Sequence, residues 1–580
     1  MSIRVIRRQA LTDPGAFGGE IHPVLRRVYA RRGLTSRDEL EYGLTGLHPI
    51  DGLGGMEAAL DLLQQALERQ QRILIVGDFD ADGATSTALA MLALRAMGAG
   101  FVGYVVPNRF EYGYGLTPEI VALAARQHPD LLVTVDNGVS SIDGVTAARE
   151  RGMRVLVTDH HLPGAQLPAA DAMVNPNLPG DAFPSKHLAG VGVIFYVLSA
   201  LRRRLRDTGW FQARGLCEPN LGAYLDLVAL GTVADVVPLD HNNRVLVEQG
   251  LRRMRAGRIR PGIAALLKAA GRDPARLSAS DLGFAVGPRL NAAGRLDDMS
   301  LGIECLLAPE EGAALPMAAR LNELNRERRE IEAGMQAQAL AALERLEMDD
   351  EQSLPYGLCL YEPDWHEGVV GIVAARIRER YHRPVIAFAD AGVGHLKGSA
   401  RSVPGLHIRD ALDAVAAAHP ELIRKFGGHA MAAGLSLEAE SLEAFRTAFD
   451  EEIRRRLTDE DLQGVVHTDG VLHPGEMNLP TAQALRWGGP WGQGFPEPVF
   501  DGRFRVLSRR MLGNGEHLKM MLRPEGDSGS SHIEAIAFRF DQEPPPQDAR
   551  VELVYRIDVN EYRGEGRPQL IVEHLFMNAS

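Results

Sequence analysis

Three short runs, ILIV (73–76), LLVTV (131–135) and RVLVT (154–158), are almost wholly aliphatic, and an acid follows each within two residues. Side chains alternate across a strand, so a run that is apolar at every position is buried on both faces, which implies a parallel sheet covered by helices. The stretches between them agree. STALAMLALRAMG (86–98) and SIDGVTAARERG (141–152) read as helices, making residues 70–160 a βαβ alternation. Such a sheet collects ligands at the carboxyl ends of its strands. The polar residues fall there: Asp78, Asp80 and Asp82 after the first run, Asp136 after the second, and Asp159-His160-His161 after the third.

Crowded carboxylates at the end of a buried segment repel one another and need cations. Alternation in an extended segment predicts that Asp78, Asp80 and Asp82 point to one side. Carboxylates joined by imidazole, without thiolate, suit Mn²⁺ or Mg²⁺. The three cysteines, Cys217, Cys305 and Cys359, lack C-x-x-C spacing, which argues against a disulfide framework or thiolate site. Four or five carboxylates could hold two ions about 4 Å apart, the arrangement used on phosphodiesters. Each motif has a plainer reading taken alone. D-x-D-x-D also describes a Ca²⁺ loop or a solvated turn, paired histidines are often structural, and Asp235 in LDLVALGTVADVVPL reads as a turn aspartate. Their convergence on one sheet edge is what points to a dinuclear site.

At 580 residues the chain exceeds one hydrophobic core. The spacing predicts an α/β core with an N-terminal extension (1–312), a long connecting helix (313–350), a second α/β domain (351–460) and a barrel of five strands (461–580). Thirty helical residues span about 45 Å, which suits a strut. No apolar run approaches the roughly 20 residues of a membrane span, and MSIRVIRRQALTDPG lacks the apolar segment of a secretory signal. The expectation is a cytoplasmic protein without a membrane partner. A formal charge of −13 weighs against a uniformly basic nucleic-acid binder, but a local stripe can override a global sum. RRRLR (202–206), LRRMRAGRIR (251–260) and Arg503, Arg505, Arg509 and Arg510 are either phosphate tracks or solvated faces.

GDFDADGATST, PNRFEYGYGL, VTVDNGVSS, VTDHH, GTVADVVPL and GPRLNAAGRL, in this order, resemble the RecJ exonuclease family within the DHH phosphoesterase superfamily. KGSARSVPGLHIRDAL and KFGGHAMAAGL continue the likeness into the accessory (DHHA1) domain, and the strand-rich tail resembles an oligonucleotide-binding (OB) barrel. The resemblance implies a Mn²⁺- or Mg²⁺-dependent nuclease that degrades single-stranded DNA from its 5′ end to mononucleotides. It implies Asp80, Asp82, Asp136, His160 and Asp235 as metal ligands, with Asp136 the bridge. The family's pyrophosphatases place a histidine where this chain has Val76, so Asp78 becomes a candidate sixth ligand. Asp159 would orient a histidine, and His161 would face the scissile phosphate as stabiliser or acid.

Arg109, Ser399 and Arg401 resemble the family's 5′-phosphate pocket, shared between the two α/β domains, with Tyr114 as a stacking face. Arg289, Asn291 and Arg295 would hold the strand near the metals, and Gly427, Gly428 and His429 would approach a nucleotide. Surface ion pairing or packing is the plain alternative for each. The resemblance further implies roles in recombination and repair, partnership with single-strand-binding protein and helicases, and a monomer. Two alternatives stand beside it: an oligoribonuclease or pAp phosphatase of the same superfamily, and a non-catalytic Cdc45-like DNA-binding scaffold.

Overall fold

The computed structural model describes residues 3–107, 115–349, 354–392, 394–513, 515–526, 532–561 and 566–577. It divides into two compact units. One comprises Arg7–Asn322 with His467–Ser580, the other Met1–Ile6 with Glu323–Val466.

The first unit is built on a five-stranded, wholly parallel sheet of β1 (Arg72–Gly77), β2 (Phe101–Val105), β3 (Leu131–Val135), β4 (Arg154–Thr158) and β5 (Ala172–Val174). Its spatial order is β2-β1-β3-β4-β5. The aliphatic runs form β1, β3 and β4, and every residue of β3 is buried. β2, interrupted by Gly103 and Tyr104, and the three-residue β5 carry no comparable aliphatic run. Full burial of each Val, Leu or Ile contributes about 1.5–3 kcal/mol, which helps offset the acids crowded at the strand ends. In this order the connections reverse direction between β1 and β3, the point at which an open α/β sheet leaves a crevice.

Helix α1 (Ala81–Ala96) follows β1 and is buried almost all round, as expected of a helix made of Ala, Ser, Thr and Leu. Helices α2 (Gly190–Asp207), α3 (Leu225–Ala234) and α4 (Gly287–Leu296) pack around it. The C-terminal part of this unit contains five strands closed into a barrel: β6 (Phe500–Leu512), β7 (His517–Pro524), β8 (Ile533–Ala537), β9 (Arg550–Asn560) and β10 (Arg567–Met577). They coincide with the five strand-like stretches of the sequence. Bidentate Arg27–Glu476 and Arg32–Asp469 pairs tie the N-terminal extension to the segment leading into the barrel.

The second unit holds a mixed sheet of β11 (Leu358–Tyr361), β12 (Val385–Asp390), β13 (His395–Arg401), β14 (Lys425–Gly428) and β15 (Ala432–Glu438), in the order β14-β15-β13-β12-β11. Only the β11–β12 pair is parallel. The long helix α5 runs from Glu311 to Asp349 with Pro316 inside it, and the division between the units falls within it. The fold is therefore an α/β core with a terminal barrel, a long helix and a second α/β sheet. Among the described residues no helix is long and apolar enough to cross a membrane.

Candidate metal centre

The carboxyl ends of β1, β3 and β4 bring the acidic motifs together, and the end of α3 adds another acid. Asp78 follows β1 and accepts a hydrogen bond from the Phe79 N–H at 2.7 Å. Asp80 caps α1, accepting from the Gly83 N–H at 3.0 Å. Asp82 lies in the first turn of α1, wholly buried, so the chain stops being extended before it is reached. Strand alternation therefore does not aim all three acids, contrary to expectation: two lie at the strand end and one is carried in by the helix. The Asp82 carboxylate accepts from the Gly190 and Val191 N–H groups, at 2.6 and 2.9 Å. These open α2, whose N-terminal dipole favours an anion.

Asp136 follows β3 with φ 62°, in the left-handed region. Backbone strain at a functional side chain is held in place only by its surroundings. Asn137 supplies part of that hold, its amide donating to the Val76 and Val135 carbonyls at 3.0 and 2.9 Å and lacing β1 to β3. α2 crosses so close that a Cβ on Gly190 would lie 2.5 Å from the Asp136 Cβ. After β4, Asp159 accepts from the Val139, His160 and His161 N–H groups and from the His161 ring at Nδ1, 2.7 Å away. His160 directs Nε2 at Asp136 (3.1 Å) and at Asp235 (3.5 Å), the residue that ends α3.

Three sets of ligand atoms, each within 4.8 Å of one another, result: Asp78, Asp80 and Asp136; Asp82, His160 and Asp235; and Asp136, His160 and His161. Both oxygens of Asp136, Nε2 of His160 and Oδ2 of Asp235 are buried and make no hydrogen bond. A buried polar atom left unsatisfied costs about 1–3 kcal/mol, and more when charged. Burial, and then the charge of neighbouring acids, raises the proton affinity of Asp136, and lifts Asp82 and Asp235 to about 7. Burial, and then the charge of His161, lowers that of His160, favouring the neutral ring a metal requires. His161 goes the other way: against its burial, the bond and charge of Asp159 raise it to about 9. Asp159 is held below its ordinary value, the same bond outweighing burial. The donor set, oxygen with imidazole and no sulfur, fits divalent Mn or Mg.

Arg109 and Tyr114 lie outside the described residues. Arg289 is buried on α4, donating to Asn322 Oδ1 and the Ala285 carbonyl. Asn291 accepts from the Ala81 N–H at 2.7 Å and so holds the turn between Asp80 and Asp82. Arg295 is part-buried on the same helix. In the second unit, Arg401 donates to Ser399 Oγ at 3.0 Å and to the Ala400 carbonyl. Gly427 and Gly428 end β14, and the exposed His429 donates its N–H to the Ala432 carbonyl.

The arginine-dense runs are largely ion-paired. Arg203 pairs with Asp51, Arg204 with Glu57 and Asp61, Arg255 with Glu248, and Arg260 with Asp226. Asn137, Gly190 and the opening of α2 were not singled out from sequence. An N-G pair after an acid and G-V-G at a helix start were the available signals.

The chain matches the DHH family, N-terminal domain, over residues 72–232, the DHHA1 domain over 355–455 and the RecJ OB domain over 468–574. It is 59% identical to the single-stranded-DNA-specific exonuclease RecJ of Dickeya dadantii, over 95% of this chain and 96% of that protein. To the protein of that name from Escherichia coli it is 54% identical, over 98% and 99%. The structure of Thermus thermophilus RecJ in complex with Mn²⁺ superposes with a TM-score of 0.81 at 30% identity, covering 100% of this chain and 80% of that one. The Mg²⁺ complex from the same organism superposes with a TM-score of 0.76 at 29% identity, covering 100% and 79%.

Proposed function

The chain belongs to the RecJ family of single-stranded-DNA-specific exonucleases, and from that premise we propose that it hydrolyses single-stranded DNA from the 5′ end to mononucleotides at the cluster around Asp136. The observation that carries this reading is the set of buried, hydrogen-bond-free atoms on Asp136, His160 and Asp235.

Asp78, Asp80 and Asp136 would hold one ion and Asp82, His160 and Asp235 a second, with Asp136 common to both and Mn²⁺ preferred over Mg²⁺. Such ions supply a nucleophilic water at neutral pH and neutralise charge developing on the phosphate. The protein's own residues do the rest. Asp159 fixes the His161 ring through Nδ1 and keeps it protonated at neutral pH. His161 Nε2 is then the atom that would meet the scissile phosphate, as a stabilising charge or as the acid for the leaving oxygen. Neutral His160 remains a ligand because burial opposes its protonation.

Arg401 with Ser399 would bind the terminal 5′-phosphate, together with Arg109, and Tyr114 would stack on a base. Gly427, Gly428 and His429 would lie against a nucleotide. Arg295 would reach the strand near the cluster, whereas Arg289 and Asn291 would support it from behind, given their bonds to protein atoms. Roles in recombination and repair, association with single-strand-binding protein and helicases, and a monomeric state complete the reading. Oligonucleotides labelled at either end, incubated with Mn²⁺ or chelator, test it. Label released first from the 3′ end overturns the polarity, and degradation that survives chelation overturns the metal mechanism.

A further inference from the structure

Asp235 ends α3, and the residue after it is unusual. Val236 has φ 63°, in the left-handed region where a β-branched side chain is strained, and it is 63% exposed. The segment Leu282–Val286 forms a π-helix leading into α4, and it carries Phe284, which is 77% exposed. π-Helical turns are rare and concentrate at functional sites. The two features are neighbours, since a Cβ on Gly287 would lie 3.1 Å from the Ala234 Cβ and one on Gly283 would lie 3.2 Å from Val233 Cγ1. Val236 and Phe284 line the same cleft of about 780 Å³, with Trp487 on the barrel side. A strained backbone and an exposed aromatic ring, each costly alone, therefore stand together one residue from a carboxylate of the metal cluster.

We propose that Val236 and Phe284 form an apolar lip beside Asp235, on which bases of the substrate strand stack just behind the nucleotide being removed. The inference rests on the chain acting on single-stranded DNA. The charge of the cleft indicates why bases rather than phosphates meet this lip. Its arginines are committed to carboxylates, Arg486 to Asp558 at 2.8 Å, Arg556 to Glu497 at 2.6 Å and Arg272 to Asp281 at 3.3 Å. A surface so neutralised offers a polyanion little, whereas an aromatic face accepts any base. Adjacency to Asp235 along the chain sets the occupant, because a strand held at the cluster would extend toward the residue that follows it.

The test compares an ordinary single strand with one carrying consecutive abasic residues behind the terminal nucleotide. The wild-type enzyme should prefer the ordinary strand by about tenfold in kcat/KM, equivalent to about 1.4 kcal/mol and within the range for one stacked base. Phe284→Ala should collapse that preference and Phe284→Tyr should keep it. Because Phe284 is exposed, its loss should leave the melting temperature in place. Val236→Asn, which tolerates the left-handed backbone, should weaken the preference without lowering the melting temperature. Equal losses on both strands, or none on either, would overturn the lip. A wild-type protein that degrades both strands equally sinks the lip alone. One that degrades neither sinks the nuclease reading and the lip with it.

Discussion

The carboxyl edge of the parallel sheet and the end of β13 in the second unit are electrostatic opposites. At the first, Asp78, Asp80, Asp82, Asp136 and Asp235 surround two histidines, and buried oxygens lack hydrogen bonds. At the second, Arg401 donates to a hydroxyl and a carbonyl, and among the described residues no carboxylate pairs with it. Burial, and then the charge of Arg378, lowers its proton affinity. One region holds negative charge that wants cations, the other positive charge that wants an anion. Elsewhere many arginines are paired with carboxylates, among them Arg203, Arg204, Arg255 and Arg260 of the arginine-dense runs. These two sites are informative, because an uncompensated buried charge persists only where something else completes it.

The sharpest way to break this comparison is Asp136→Asn. Activity should fall by at least about a thousandfold, since the amide keeps a single oxygen and no negative charge at the position proposed to serve both ions. The metal-free protein should nevertheless melt higher, because a buried repulsive charge has been removed. Single-turnover assays and calorimetry of the stripped protein check both halves, and a drop in melting temperature would show that the carboxylate is held by the protein alone. Arg401→Ala should cost about tenfold to a hundredfold in kcat/KM on 5′-phosphorylated strands, the range of a charge-assisted hydrogen bond, and much less on 5′-hydroxyl strands. An equal loss on the two would remove the anion from that site.

The pH response comes next in size. Asp82 and Asp235, at about 7, bind protons in the folded state that the unfolded chain, near 3.8, has released. Between about pH 4 and 7 the native state holds more protons, so the metal-free protein should lose stability as pH rises through that window. Mn²⁺ displaces those protons, and its affinity should climb over the same range. Thermal melts with and without Mn²⁺ from pH 5 to 8 would read this; parallel curves would refute it. The smallest effect is Asn291→Ala. Freeing the Ala81 N–H should cost about 1 kcal/mol and weaken Mn²⁺ binding several-fold by titration, whereas Asn291→Asp, which keeps the acceptor, should preserve the cap.

The parallel sheet was legible because continuous aliphatic runs allow few other folds, and the barrel because five alternating stretches are punctuated by glycine-rich turns. The acidic motifs were legible for the same reason, each lying at a strand end. What misled was local geometry. Extended alternation seemed to aim Asp78, Asp80 and Asp82 together, yet the helix begins at Ala81 and delivers Asp82 to the opening of α2. Asn291 read only as a contact for the strand, whereas its Oδ1 also accepts from the first turn of that helix, 210 residues away in sequence. β2 and β5 carry too few aliphatic residues to announce themselves, and their place follows from pairing with β1 and β4.

From sequence alone came the sheet type, the edge on which chemistry must fall, the donor atoms and the family they resemble, because periodicity and residue chemistry are local properties. Only the folded chain decided which oxygens are left without partners, which histidine is neutral and which protonated, and that Val236 is strained beside Phe284. Those depend on burial and on distances between residues far apart in the chain. Electrostatic energy in a low-dielectric interior varies steeply with both.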